Sequence, residues 1–255
     1  MRRHRALLTG IAVLLSGTLL FSSAMIWKEL SGRQKEKEEF SALAELVEAP
    51  EANPPVTSET PPAEADEPDE AAELRDLAPL FAQNGDCIGW LSIPGTQINY
   101  PVMHTPEEPQ KYLRRSFYGE YSQSGVPFLD WRCSLDSDNL IIYGHNMKNG
   151  TMFGELKNYL DEEFRLANPV IELQTEGGLE YYTVFAVAVV EKSDPWYSFI
   201  DASGSEGFAG QVAAIIQKSL YDTGAAPVFG QQIITLSTCY GSSKDGRLLV
   251  IGVKQ

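Results

Sequence analysis

The sequence predicts a mainly β domain, a closed barrel or a sandwich with helical insertions, carried behind an apolar N-terminus. Three observations lead there. From about Glu73 onward, about eight short apolar or alternating runs recur, many separated by turn residues such as Pro94-Gly95 and Gly177-Gly178. Only a few stretches in that region have helical character. The segment just before Glu73 has almost no large apolar residue and cannot bury a core.

The N-terminus reads MRRHR and then runs uncharged from Ala6 to Trp27. As a helix this run is roughly 33 Å long, enough to cross a bilayer core. A cleaved signal peptide is the rival reading. Its apolar core is usually only about 7–15 residues, and Ser22-Ser23-Ala24 is a poor cleavage site. Residues 1–27 are therefore expected to form a cytoplasmic tip and an uncleaved signal anchor, with the bulk of the chain outside the cell. Charges flanking the run do not settle that orientation, because Lys28, Arg33, Lys35 and Lys37 are interleaved with Glu29, Glu36, Glu38 and Glu39. The nature of the downstream domain does.

Residues 28–72 read as a stalk. Lys28 to Val47 fits a polar helix, and Ala49 to Ala72 is rich in Pro, Glu and Ala, an extended self-repelling linker. The formal net charge of −15 is concentrated here. Between Glu48 and Glu73 lie nine acidic residues, six prolines and no Lys or Arg. The acidity is thus mostly that of one solvated segment. With no basic stripe interleaved with aromatics, nucleic acid is not expected as a partner.

Residues 73–255 form the globular part. A short helix is expected over Leu74–Gln83. Strands are expected over Ile88–Ile93, Ile98–Met103, Val126–Leu129, Leu140–Tyr143, Val170–Gln174, Tyr181–Val190, Gln232–Ser237 and Leu248–Val253. Helical pieces are expected at Met152–Leu160 and Glu206–Tyr221. The connection Lys192–Gly230 is long, and connections of that length usually carry function or a helix of their own.

Cys87, Cys133 and Cys239 are an odd number with no CxxC, which argues against a zinc site and a disulfide framework. A Cys87–Cys133 bridge stays open. No metal or other cofactor is expected. Cys239 ends the strand-like run Ile234-Thr235-Leu236-Ser237-Thr238-Cys239. By alternation it shares a face with Thr235 and Ser237, opposite Ile234 and Leu236, so it need not point into the core. A thiol nucleophile needs a base and a means of stabilising an oxyanion. Of the histidines, His4 precedes the apolar run, His104 follows a strand in a Pro-rich turn, and His145 ends another apolar strand. If the two strands are parallel neighbours, His145 and Cys239 lie at one barrel edge. Arg247 opens the last strand and returns near Cys239 through the short loop Tyr240–Gly246. A solvated surface His and a solvated strand-end Arg are the bland alternatives.

These residues resemble a known family. Thr235-Leu236-Ser237-Thr238-Cys239, with Tyr143-Gly144-His145-Asn146 upstream and Arg247 downstream, looks like a sortase, closest to class B. Gly89-Trp90-Leu91-Ser92-Ile93-Pro94-Gly95-Thr96, Ile98-Asn99-Tyr100-Pro101-Val102 and Thr151-Met152-Phe153-Gly154 fit the same class. The resemblance implies an eight-stranded sortase-type β-barrel, short N-terminal helices, and a helix in the long loop before the cysteine strand. It implies a membrane-anchored cysteine transpeptidase of Gram-positive cell walls. Such an enzyme cleaves the sorting signal of a surface protein through a thioacyl intermediate and joins the protein to a peptidoglycan precursor amine. By position Cys239 is then the nucleophile, His145 the general acid and base, and Arg247 the oxyanion donor. Ser237 and Thr238 are candidate substrate contacts. Trp196 and Tyr197 are further candidates, with aromatic packing inside the loop as the alternative. Asp194-Pro195-Trp196 resembles the lid motif of class C sortases, but that lid precedes the barrel and this tripeptide lies within it. A cysteine endopeptidase using the same site without amine transfer, and a non-enzymatic tethered binding module, are the competing functions.

Overall fold

Eight strands close into one barrel with the neighbour order β1-β2-β3-β4-β7-β8-β6-β5. The structure is a computed structural model describing residues 2–48 and 74–255, with residues 2–14 and Glu29 described by backbone alone. The expected linker Ala49–Ala72 lies outside the described residues.

The strands are β1 (Cys87–Ser92), β2 (Asn99–Met103), β3 (Phe128–Leu129), β4 (Asn139–Tyr143), β5 (Val170–Thr175), β6 (Gly178–Glu191), β7 (Ile233–Cys239) and β8 (Gly246–Lys254). Closure, rather than a sandwich, leaves no free edge. Two of the pairings are parallel, β2 with β3 and β4 with β7. The others are antiparallel.

The chain divides into a unit up to Ala42 and a unit from Leu43 to Gln255. The first is a single helix, α1 (Arg2–Val47), whose last residues enter the second unit. There Leu43 and Val47 are fully buried, and the Val47 carbonyl accepts from the Asp76 amide at 3.1 Å. Among the described residues no helix is long and apolar enough to cross a membrane. The expected span from Ala6 falls in part on residues described by backbone alone.

Register explains the long apolar runs of β7 and β8. Ile142, Leu236 and Val250 are paired across β4, β7 and β8 and share one face; Tyr143, Ser237 and Leu249 share the other. The first face fills the barrel. The second is covered by the β6–β7 connection, so both faces are buried and strict alternation is lost. That connection is built around Trp196, Phe199, Phe208, Val212 and Ile215, which pack on Ile233, Leu249 and Ile251 of the barrel wall. Trp196–Phe199 and Phe199–Phe208 meet edge-on with ring centroids 5.3 and 5.8 Å apart. Each such buried side chain contributes about 1.5–3 kcal/mol, so the connection is an anchored wall.

It carries a 3-10 turn at Pro195–Ser198 and the helix α4 (Ser205–Ile216). The expected helix over Glu206–Tyr221 ends at Ile216, because Leu220 instead donates its amide to Val187 on β6. Helix α2 (Ala78–Gln83) starts later than expected, at the Pro79 position suited to a first turn. The piece expected over Met152–Leu160 is a 3-10 helix, Gly154–Leu160. It is followed by α3 (Glu162–Ala167), started by an Asp161 side-chain cap on the Glu163 amide.

Candidate active site

The parallel pairing of β4 with β7 matches Tyr143 to Ser237. The Gly144 amide continues it, donating to the Ser237 carbonyl at 3.2 Å. Two residues beyond each member of the matched pair stand His145 and Cys239. On the other side, the antiparallel β7–β8 register sets Cys239 directly opposite Arg247. By the two-residue strand period, Cys239 and Arg247 belong to the face carrying Ser237 and Leu249. Three neighbouring strands thus bring His145, Cys239 and Arg247 to one edge and one face.

The loop after β4 is held by packing. At Gly144 an added Cβ would sit 2.6 Å from the ring of fully buried Phe153, so only glycine lets that ring cover the strand end. The His145 carbonyl accepts from the amides of Met147 and Phe153. The Asn146 side chain donates to the Cys239 carbonyl at 2.8 Å, and Thr238 Oγ1 donates to the Gly144 carbonyl at 2.7 Å. These bonds lace the His-bearing and Cys-bearing strands together.

The three side chains differ in surroundings. Cys239 is exposed. His145 Nε2 lies 2.9 Å from the Leu113 carbonyl. A carbonyl only accepts, so in the neutral ring Nε2 carries the proton and Nδ1 keeps a free lone pair. Burial lowers the His145 pKa below its ordinary value; the Leu113 carbonyl opposes this and the Arg114 cation adds to it. Arg247 donates from Nη1 to the carbonyls of Lys244 (3.0 Å) and Gly246 (2.8 Å). Its Nε and Nη2 are left without a protein acceptor among the described residues.

The three open onto a groove of about 540 Å³. Its lining includes Leu113, Phe128, Trp131, Tyr143, Thr238 and Lys192. Ser237 and Tyr197 line it too, and Ser237 Oγ and the Tyr197 hydroxyl are 2.7 Å apart. Burial pushes the Tyr197 hydroxyl up to about 12. Lys192 pairs with Asp245 at 2.7 Å, tying the start of the β6–β7 connection to the β7–β8 turn.

Of the expected contacts, Ser237, Thr238 and Tyr197 reach the groove, while Trp196 does not. Its indole is 2 % exposed, its Nε1 donates to Thr235 Oγ1, and it packs beside Phe199. Packing is therefore the fate of Trp196. The tripeptide Asp194-Pro195-Trp196 is a turn, with Asp194 capping the Trp196 amide. His104 is not part of the groove lining. Cys87 and Cys133 are free and buried. Each thiol donates to a backbone carbonyl, of Gly89 and Asn139 respectively, and no bridge joins them. Among the described residues no three His, Cys, Asp or Glu side chains gather as a metal site.

Sequence reasoning missed Asp130 and Arg132, both in the groove lining. A signal was present. An acid and an arginine two apart, just after an apolar strand, have the spacing of a side-chain-closed turn, and here the Arg132 amide donates to Asp130 Oδ1 at 3.0 Å.

The closed, mainly β barrel matches solved structures of a cysteine transpeptidase family. Residues 91–255 match the sortase domain, and the chain belongs to the sortase family. Within it the relatives are of class B. Sortase B of Listeria monocytogenes is 37% identical over 187 residues, 71% of this chain and 73% of that protein. Sortase B from B. anthracis, solved in complex with AAEK1, superposes with a TM-score of 0.71 at 28% identity, covering 88% of this chain and 98% of that one. A Staphylococcus aureus sortase B–substrate complex superposes with a TM-score of 0.65 at 28% identity, covering 69% and 83%.

One prediction follows from the burial of His145. Imidazolium is disfavoured there, so the ring takes a proton only at lower pH than a solvated histidine with its ordinary value of 6.5. The acid limb of a kcat/KM profile on a peptide substrate should therefore have an apparent pKa below 6.5. A limb at or above that value would mean that another group controls it.

Proposed function

We propose that the protein cleaves the sorting signal of surface proteins at Cys239 and transfers them to an amine of a peptidoglycan precursor. The observation that carries this reading is the register setting His145, Cys239 and Arg247 side by side at the mouth of one groove. That a Staphylococcus aureus sortase B has been solved with its substrate supports reading the groove here as a substrate site.

The chemistry runs as follows. Cys239 Sγ, as thiolate, attacks the scissile carbonyl of the signal. His145, with Nε2 held by Leu113, takes the thiol proton at Nδ1 and gives it to the leaving amine. Arg247 donates to the oxyanion through the guanidinium edge not used on the backbone. The acceptor amine then attacks the thioester, His145 takes its proton, and Cys239 is released. Ser237, Thr238 and Tyr197 contact the bound peptide.

Tethering belongs to the same reading. The uncharged run Ala6–Trp27 would hold the chain at the membrane with the catalytic domain outside, residues 28–72 serving as stalk and 73–255 as catalytic domain. What supports it is the absence of charge in that run and the basic residues before it.

The test is partitioning of the thioacyl enzyme. With a sorting-signal peptide and a peptidoglycan-like amine such as an oligoglycine or diaminopimelate, product should shift from acid to amide as amine concentration rises. Turnover should also speed up where deacylation limits. Hydrolysis indifferent to every amine would make the protein an endopeptidase.

A further inference from the structure

Beside the three side chains of the reaction lies a second constellation that the mechanism does not use. Asp130 is 4 % exposed, on the groove wall. A buried carboxylate is costly unless its lone pairs are filled. Here they are. Arg132 donates from Nε to Oδ1 and from Nη2 to Oδ2, both at 2.8 Å, and its own amide donates to Oδ1 at 3.0 Å. The Tyr143 hydroxyl donates to Oδ2 at 2.8 Å. Burial raises the carboxyl pKa, but these donors outweigh it, and the group is held below the usual aspartate value.

The fork does more than satisfy Asp130. Arg132 Nη2 has two hydrogens, and the nitrogen also donates to the Tyr197 carbonyl at 2.8 Å. Tyr197 belongs to the β6–β7 connection. Its ring stacks on Tyr143, with centroids 6.3 Å apart and planes within 16°, and its hydroxyl meets Ser237. The contacts close a ring: Asp130 to Arg132, to Tyr197, to Tyr143, and back to Asp130. The ring joins the β3–β4 turn, β4 and the connection along one side of the groove. Only the carboxylate of the pair is buried, the Arg132 side chain being 35% exposed, so the pair adds little net stability. Its directional donors fix where the Tyr197 backbone sits.

We propose that Arg132 is a positioning residue for the groove: held by Asp130, its guanidinium fastens the connection at Tyr197 to the barrel wall and so sets the groove's width for the bound peptide. The peptide part of this rests on the proposed function. Lysine cannot substitute fully, because an ammonium lacks the planar fork that reaches two carboxylate oxygens and a carbonyl at once.

The experiment uses the full chain with Arg132→Gln and Arg132→Lys. Two readouts are taken, hydrogen exchange of the amides over 194–199 and the kinetics of a sorting-signal peptide. In Arg132→Gln, exchange in that segment should speed up while the barrel strands keep their protection. KM should rise about tenfold with kcat changed far less, since loss of one charge-assisted bond is about a factor of ten. Arg132→Lys should fall between. Unchanged exchange over 194–199 would overturn the proposal whatever the kinetics. So would acceleration across the whole barrel, which marks general destabilisation. Faster local exchange with unchanged KM would sever the fastening from the groove and overturn it too. A wild-type protein inactive on every peptide would count against the proposed function, and the exchange data would then decide on the fastening by themselves.

Discussion

Cys239→Ala is expected to abolish turnover, with a fall of about 10⁴-fold or more in kcat, because loss of a nucleophile removes the covalent route itself. Neither remaining thiol can take over. Burial pushes Cys87 and Cys133 up to about 11, which leaves about one part in 10⁴ as thiolate at neutral pH. Both also lie below the surface. The fold should survive, since Cys239 is an exposed strand end and such changes cost about 0.5 kcal/mol or less. Mass spectrometry after incubation with a sorting-signal peptide should show a thioacyl adduct on the wild type and none on the variant, at unchanged melting temperature. Cys87→Ala and Cys133→Ala should keep most activity. An active Cys239→Ala protein would remove the basis of the mechanism.

Arg247→Lys is expected to lower kcat/KM by at least about 10²-fold, the usual consequence of losing one oxyanion donor, about 2.7–4 kcal/mol. The geometry sharpens this. The guanidinium uses Nη1 on two backbone carbonyls of the β7–β8 turn and keeps its other edge for the groove. A lysine ammonium on a flexible stem cannot be fixed by that turn and present a directed donor as well. Alkylation of Cys239 should still proceed in this variant, because the thiol remains. A variant keeping more than about a third of wild-type kcat/KM would return Arg247 to the role of a solvated strand end.

Much of the barrel was legible because strand signals are local. Each of the eight expected runs overlaps an observed strand, including the two-residue β3. Closure was legible only through the sortase resemblance, since a sandwich and a barrel share the same runs and differ only in which edges meet. Helix ends were misplaced where tertiary bonds compete, as at Leu220. The edge shared by His145 and Cys239 was conditional on a parallel β4–β7 pairing, which strand patterns cannot reveal; the register supplies it. Trp196 was ambiguous for a related reason. An aromatic in a long loop reads the same whether it packs or binds, and the hydroxyl of Thr235 together with Phe199 decided for packing. Asp130 and Arg132 went unnoticed because an i,i+2 acid–base pair is common, and its significance depends on Tyr197, far along the chain.

The parallel β4–β7 seam has a kinetic meaning as well. Gly144 and Thr238 are 94 residues apart in sequence, and contacts that distant form only after a long loop has closed. Parallel, non-local pairings of this kind make folding slow. His145 therefore cannot meet Cys239 in a chain whose last two strands are still emerging or unpaired. The meeting of His145 with Cys239 thus marks completed closure of the β4–β7 seam, and a partly folded chain carries the thiol without the imidazole beside it.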